Sequence, residues 1–183
     1  SWTPASGAGS HRVSLGSPGR MGFTVLPASS TGIQVTNTLS NEAMDQNHLL
    51  ENGSGVALGD VDGDGWCDVY FCRLEGANVL YRNLGGWRFE DVTARAGVEC
   101  AGQFSTGAVL ADVDGDRDLD LLVNALGKGT RLMRNDGRGQ FSEDTSSGLL
   151  SVGGSHSLAL ADVDGDGDLD LYVTNYRSRS FKD

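Results

Sequence analysis

Several things are missing from this chain of 183 residues. No apolar run approaches the roughly 18 residues of a membrane-crossing helix, so no transmembrane segment is expected. The 14 basic residues are outnumbered by 25 acidic ones and form no cluster, which argues against nucleic acid as a partner. There is no Gly-x-Ser-x-Gly elbow, no phosphate-cradling loop and no zinc-type Cys/His cluster. The histidines are three and scattered: His11 in a leader, His48 in a polar stretch and His156 in an expected loop. They read as surface or cap residues, so no enzyme activity is expected. Cysteine is scarce and odd in number, at Cys67, Cys72 and Cys100. Cys67 shares the strand alternation of Val69 and Phe71 and is expected to be buried. Whether Cys72 and Cys100 pair is open at this level.

What the chain has in excess is aspartate, concentrated in one motif used three times. The copies are Asp60-Val-Asp62-Gly-Asp64-Gly-Trp-Cys-Asp68, Asp112-Val-Asp114-Gly-Asp116-Arg-Asp-Leu-Asp120 and Asp162-Val-Asp164-Gly-Asp166-Gly-Asp-Leu-Asp170. Their first aspartates lie 52 and then 50 residues apart. Carboxylates crowded into nine residues repel one another unless a cation lies among them, and a hard oxygen-seeking ion such as calcium suits such a set. Positions 1, 3, 5 and 9 offer carboxylates in every copy. Position 7, whose side chain varies (Trp66, Asp118, Asp168), is expected to offer its backbone carbonyl. Glycine at position 4 lets the chain turn back, as it does at position 6 in two copies. Arg117 holds position 6 in the middle copy, where a left-handed backbone would be strained. An EF-hand is excluded. Its bidentate glutamate at position 12 is replaced by Phe71, Val123 and Val173, and the flanks read as strands rather than helices.

Fourteen of the 25 acidic residues stand in these loops, so the net charge of −11 belongs largely to them. Three calcium ions would leave about −5, a modest surface charge. Weak extracellular-type calcium sites point to an extracellular or periplasmic location. Asn52-Gly53-Ser54 fits an N-glycosylation acceptor. The chain begins at Ser1 with neither methionine nor a signal-like apolar stretch, which suits a processed or truncated end.

The repeat extends beyond the loops. Asn83 to Phe89 corresponds to Asn135 to Phe141, Gly97-Val98 answers Gly148-Leu149, and Phe23 to Ile33 looks like an earlier copy of the closing segment. Each unit of about 50 residues holds four short apolar runs separated by turns, which predicts an all-β fold of propeller blades, four antiparallel strands each. The acidic loop joins the first two strands of each blade. The expected organisation is a flexible leader (1–21), a partial blade and connector (22–54), blades at 55–104 and 105–154, and a partial blade at 155–183.

The motif Asp-Val-Asp-Gly-Asp-Gly-x-x-Asp-Leu, preceded by Gly-Val-Ala-Leu or Ser-Leu-Ala-Leu-Ala and followed by Tyr-Val-Thr-Asn, resembles the FG-GAP/VCBS repeats of integrin-alpha-like calcium-binding β-propellers. Asn78-Val-Leu-Tyr-Arg-Asn83, Phe89-Glu-Asp-Val-Thr93 and Ala96-Gly-Val98 are similar to the bacterial secreted ASPIC/UnbV group, related to cartilage acidic protein. The resemblance covers residues 22–183 and implies three Ca2+ sites. Their ligands would be Asp60, Asp62, Asp64 and Asp68 with the Trp66 carbonyl, then Asp112, Asp114, Asp116 and Asp120 with that of Asp118. The third set would be Asp162, Asp164, Asp166 and Asp170 with the carbonyl of Asp168. It further implies an incomplete propeller of about two and a half to three blades. The expected role is non-catalytic adhesion or recognition of a protein or carbohydrate. The alternative is a subunit of an extracellular filament or surface layer, a homo-oligomer completed when residues 22–39 of one chain supply strands to another. A fragment of a polysaccharide-acting enzyme is a third, less favoured reading.

Overall fold

The computed structural model describes residues 23–149 and 153–176. The predicted leader, 1–21, and the last residues, 177–183, lie outside them. A short helix α1 (Ala28–Thr31), a helix α2 (Asn41–Gln46) and a 3-10 turn (His48–Asn52) precede the first strand. Ser40 caps α2, its hydroxyl accepting from the Ala43 amide.

The described residues then form antiparallel sheet almost throughout. Strands β1 (Val56–Gly59), β2 (Asp68–Phe71), β3 (Val79–Asn83) and β4 (Phe89–Asp91) make one four-stranded sheet in chain order. After a helical turn α3 (Thr93–Ala96), strands β5 (Phe104–Ala111), β6 (Asp120–Leu126), β7 (Gly129–Asn135) and β8 (Phe141–Glu143) repeat the order. Strands β9 (Gly154–Ala161) and β10 (Asp170–Tyr176) form a hairpin; β9 pairs with β6 at Leu126↔Gly154, and the Thr106 hydroxyl of β5 donates to its Ser155 carbonyl. The architecture is all-β, as expected, with only short helical turns.

The three acidic loops occupy equivalent places, β1–β2, β5–β6 and β9–β10. Pairing on either side is in register: Gly59 opposes Asp68, Ala111 opposes Asp120 and Ala161 opposes Asp170. Each loop is thus closed at its base by a strand pair that begins at its ninth residue. Between the first two sheets lies the main core, built from Ala57, Val61, Tyr70, Leu80, Val98, Leu121, Val123 and Met133 among others. Strand β6 is buried along its whole length, as expected for a strand with sheet on both sides. Just before β1, Gly55 lies close against the second sheet: a Cβ there would stand 2.8 Å from the Gly107 Cα, so any larger residue would push the two apart.

Two local expectations fail. Cys67 is exposed rather than buried, because β2 begins at Asp68 and the strand alternation does not reach back into the loop. His156 stands inside β9 rather than in a loop, because that strand starts at Gly154. Cys72 and Cys100 are both buried free thiols in the main core, and burial pushes the Cys72 thiol up to about 12.

Candidate metal centre

The first aspartate of each loop organises the turn. Asp60 accepts from the amides of Gly63 (2.9 Å), Asp64 (3.2 Å) and Gly65 (2.8 Å). Asp112 accepts from Gly115 and Arg117, and Asp162 from Gly165 and Gly167, through the same pair of carboxylate oxygens. This curl requires a left-handed backbone at positions 4 and 6. Position 4 has φ 72, 81 and 80° at Gly63, Gly115 and Gly165, and position 6 has φ 87 and 98° at Gly65 and Gly167. Arg117 adopts the same conformation at φ 79°, so the middle loop keeps its shape at the expense of backbone strain.

The ninth residue bolts the loop shut. Asp68 Oδ2 accepts from the Val61 amide (2.9 Å) and Oδ1 from the Asn83 amide (2.7 Å). Asp120 repeats both bonds, from Val113 (3.4 Å) and Asn135 (2.9 Å). Asp170 makes only the first, from Val163 (3.0 Å), among the described residues. Burial pushes the Asp68 carboxyl up; the two amides oppose that rise, while Asp62 and Asp64 add to it.

Three carboxylates converge in each loop, with oxygens all within 4.8 Å of one another. They are Asp60, Asp62 and Asp68; Asp112, Asp114 and Asp116; and Asp162, Asp164 and Asp170. The remaining candidates stand beside these sets rather than in them. Asp64 faces Arg82, and Asp120 faces Arg134 and Asn135. Asp118 packs its carboxylate against Gly137, and desolvation, then Asp116 and Asp112, raises its pKa. Asp166 accepts from the Asp168 amide (2.9 Å). The Trp66 ring lies over Gly85, the position equivalent to Gly137. A hard cation fits the first loop's donors, because Asp62 Oδ1 is buried there with no hydrogen-bond donor beside two further carboxylates.

Residues outside the motif complete the site. Asn83 donates through Nδ2 to the Cys67 carbonyl (2.9 Å), and Asn135 donates to the carbonyls of Leu119 (3.1 Å) and Val61 (2.9 Å). The last bond ties the second sheet to the first loop. Arg82 and Arg134 reach from β3 and β7 onto loop carboxylates. The signal for all four was in the sequence: Arg-Asn recurs at 82–83 and 134–135, the same offset as the loops.

Residues 60–123 and 112–173 match the FG-GAP-like repeat family. The chain belongs to it. Among curated proteins, cartilage acidic protein 1 of Mus musculus is 33% identical over 70 residues, 38% of this chain. Its Homo sapiens counterpart is also 33% identical over 70 residues. That of Xenopus tropicalis is 28% identical over 94 residues, 50% of this chain. The matches span only 11% of the mouse and human proteins and 14% of the frog protein. Among the described residues, no helix is long and apolar enough to cross a membrane.

Proposed function

We propose that this chain is a non-catalytic segment of an extracellular β-propeller whose loops each hold one structural calcium ion. Its role is recognition or adhesion toward a protein or carbohydrate. The observation that carries the reading is the threefold recurrence of convergent carboxylates on one loop scaffold, in a chain of the FG-GAP-like repeat family. The proposed ligands in each loop are the aspartates at positions 1, 3, 5 and 9 and the carbonyl at position 7. When bound, the ion neutralises the carboxylates and fixes the turn between the first two strands. The chain's own residues supply the rest: backbone amides orient positions 1 and 9, and the core sets the distance between neighbouring loops. Blade boundaries at 55–104, 105–154 and 155–183 follow the repeat. Such a scaffold presents the connections between blades to a partner. A glycan and matrix-protein array read in calcium and in EGTA tests this; calcium-dependent retention of one class is expected, and no retention under either condition contradicts it.

A second reading, assembly through strand exchange, is favoured by one specific observation. α1 ends at Gly32 as α3 ends at Gly97, both left-handed. A Cβ on Gly32 would meet the Phe89 carbonyl, and one on Gly97 the Phe141 carbonyl. Residues before α1 therefore stand in the order that β4 holds before α3, yet Phe23 and Val25 are exposed there and, among the described residues, pair with no strand. They are a spare outer strand for a blade supplied from elsewhere. Sedimentation of a stable monomer of 19.2 kDa would rule out exchange between copies.

A further inference from the structure

We propose that Arg82 and Arg134 are built-in counter-ions that set the calcium affinity of the first and second loops, a role that rests on the calcium reading above. Both stand 22 residues after the first aspartate of their loop, on the third strand of their sheet. Both guanidinium groups reach the third-position aspartate of their loop, through different nitrogens. Arg82 Nε contacts Asp62 Oδ2, and its Nη2 lies 2.9 Å from Asp64 Oδ2. Arg134 Nη1 lies 2.9 Å from Asp114 Oδ2 and 3.2 Å from Asp120 Oδ2, while its Nε lies 3.5 Å from Asp144.

In both loops the arginine takes Oδ2 of the third-position carboxylate. In the first loop the other oxygen, Asp62 Oδ1, stays buried and without a donor. The guanidinium thus grips the cluster from its rim and leaves the inward oxygen free. It offsets part of the mutual repulsion of four or five carboxylates in the absence of a metal. Once a divalent ion enters, the same fixed positive charge opposes it. The two arginines therefore trade calcium affinity for a loop that stays formed without calcium. Their side chains are about one-third exposed, so water and salt moderate both effects.

An orienting role, in which the arginine merely holds a ligand in place, predicts the opposite sign, because losing such a support weakens metal binding. Calorimetric calcium titration of the wild type, Arg82→Gln, Arg134→Gln and the charge-preserving Arg82→Lys separates the two. Melts of all four in EGTA accompany it. The proposal expects each glutamine variant to bind one of its calcium ions on the order of tenfold more tightly, as for removal of one unit charge a few ångströms from a divalent ion at water-like dielectric. It also expects each to melt lower than wild type in EGTA, and Arg82→Lys to stay close to wild type in both. Weaker or unchanged calcium affinity in folded glutamine variants, with calcium bound normally by the wild type, overturns the arginine role alone. A wild type that binds no calcium overturns the calcium reading and this proposal with it.

Discussion

The first two acidic loops and the third have nearly the same sequence and most of their internal hydrogen bonds in common, yet they differ sharply in burial. Asp68 and Asp120 are 0% and 1% exposed, whereas Asp170 at the same loop position is exposed. The cause lies outside the loop. In the first two sheets a third strand brings an Asn amide onto the ninth carboxylate and an arginine onto the third. Among the described residues the β9–β10 hairpin has no such strand over its loop. The loop sequence alone shapes the turn; the rest of the sheet determines how dry its carboxylates are and what they cost when unpaired.

The difference between the loops is sharpest at the ninth position. Asp68→Ala or Asp120→Ala leaves buried amides without an acceptor and is expected to cost about 2–4 kcal/mol. Asp170→Ala, with one bonded amide and open surroundings, should cost less than about 1 kcal/mol. Urea unfolding in EGTA, where metal loss is not a variable, measures both; equal costs would mean that the outer strands do not govern the site.

A smaller effect separates the second loop from its neighbours. Arg117→Gly relieves a left-handed arginine and is expected to stabilise the protein by about 0.5–1 kcal/mol, net of the glycine's extra chain entropy. Gly65→Arg in the first loop should cost a similar amount. Thermal melts of the two variants would show opposite shifts; shifts of the same sign would show that the two loops do not share one backbone.

The smallest expected effect distinguishes the second sheet in acid. The Ser146 hydroxyl (2.6 Å) and amide (2.9 Å) donate to Asp144, and with Arg134 they hold its carboxyl below the ordinary 3.8. A depressed carboxyl adds stability above its unfolded pKa and loses it as pH falls through the folded value. Asp144→Asn should therefore slightly lower stability at neutral pH and flatten the acid limb of the stability curve below about pH 4. An acid limb identical to wild type would remove Asp144 from the account.

Much of this was legible in the sequence because it is local and periodic. The register of three loops, the left-handed glycines and even the strain at Arg117 follow from residue type at fixed spacing. The all-β order follows from short apolar runs separated by turns. The rest depends on what folds over what. Arg82 and Arg134 recur at the repeat offset, but they reach the loop because antiparallel pairing of the third strand with the second, Val69 with Tyr81 and Leu121 with Met133, sets them beside the loop's end. The inter-sheet bond from Asn135 to Val61 joins residues 74 positions apart. The exposure of Cys67 was not legible, because the strand's first residue is set by the pairing of Asp68 with Gly59 rather than by composition.

Ions held by the loops are expected to hold the sheets together. Scanning calorimetry of the intact chain in millimolar calcium and in excess EGTA tests it directly. In millimolar calcium, about tenfold above the Kd of a weak extracellular site, each of three filled sites contributes about 1.4 kcal/mol, so chelation is expected to lower Tm by about 10 °C. Superimposable melts in the two buffers would contradict it.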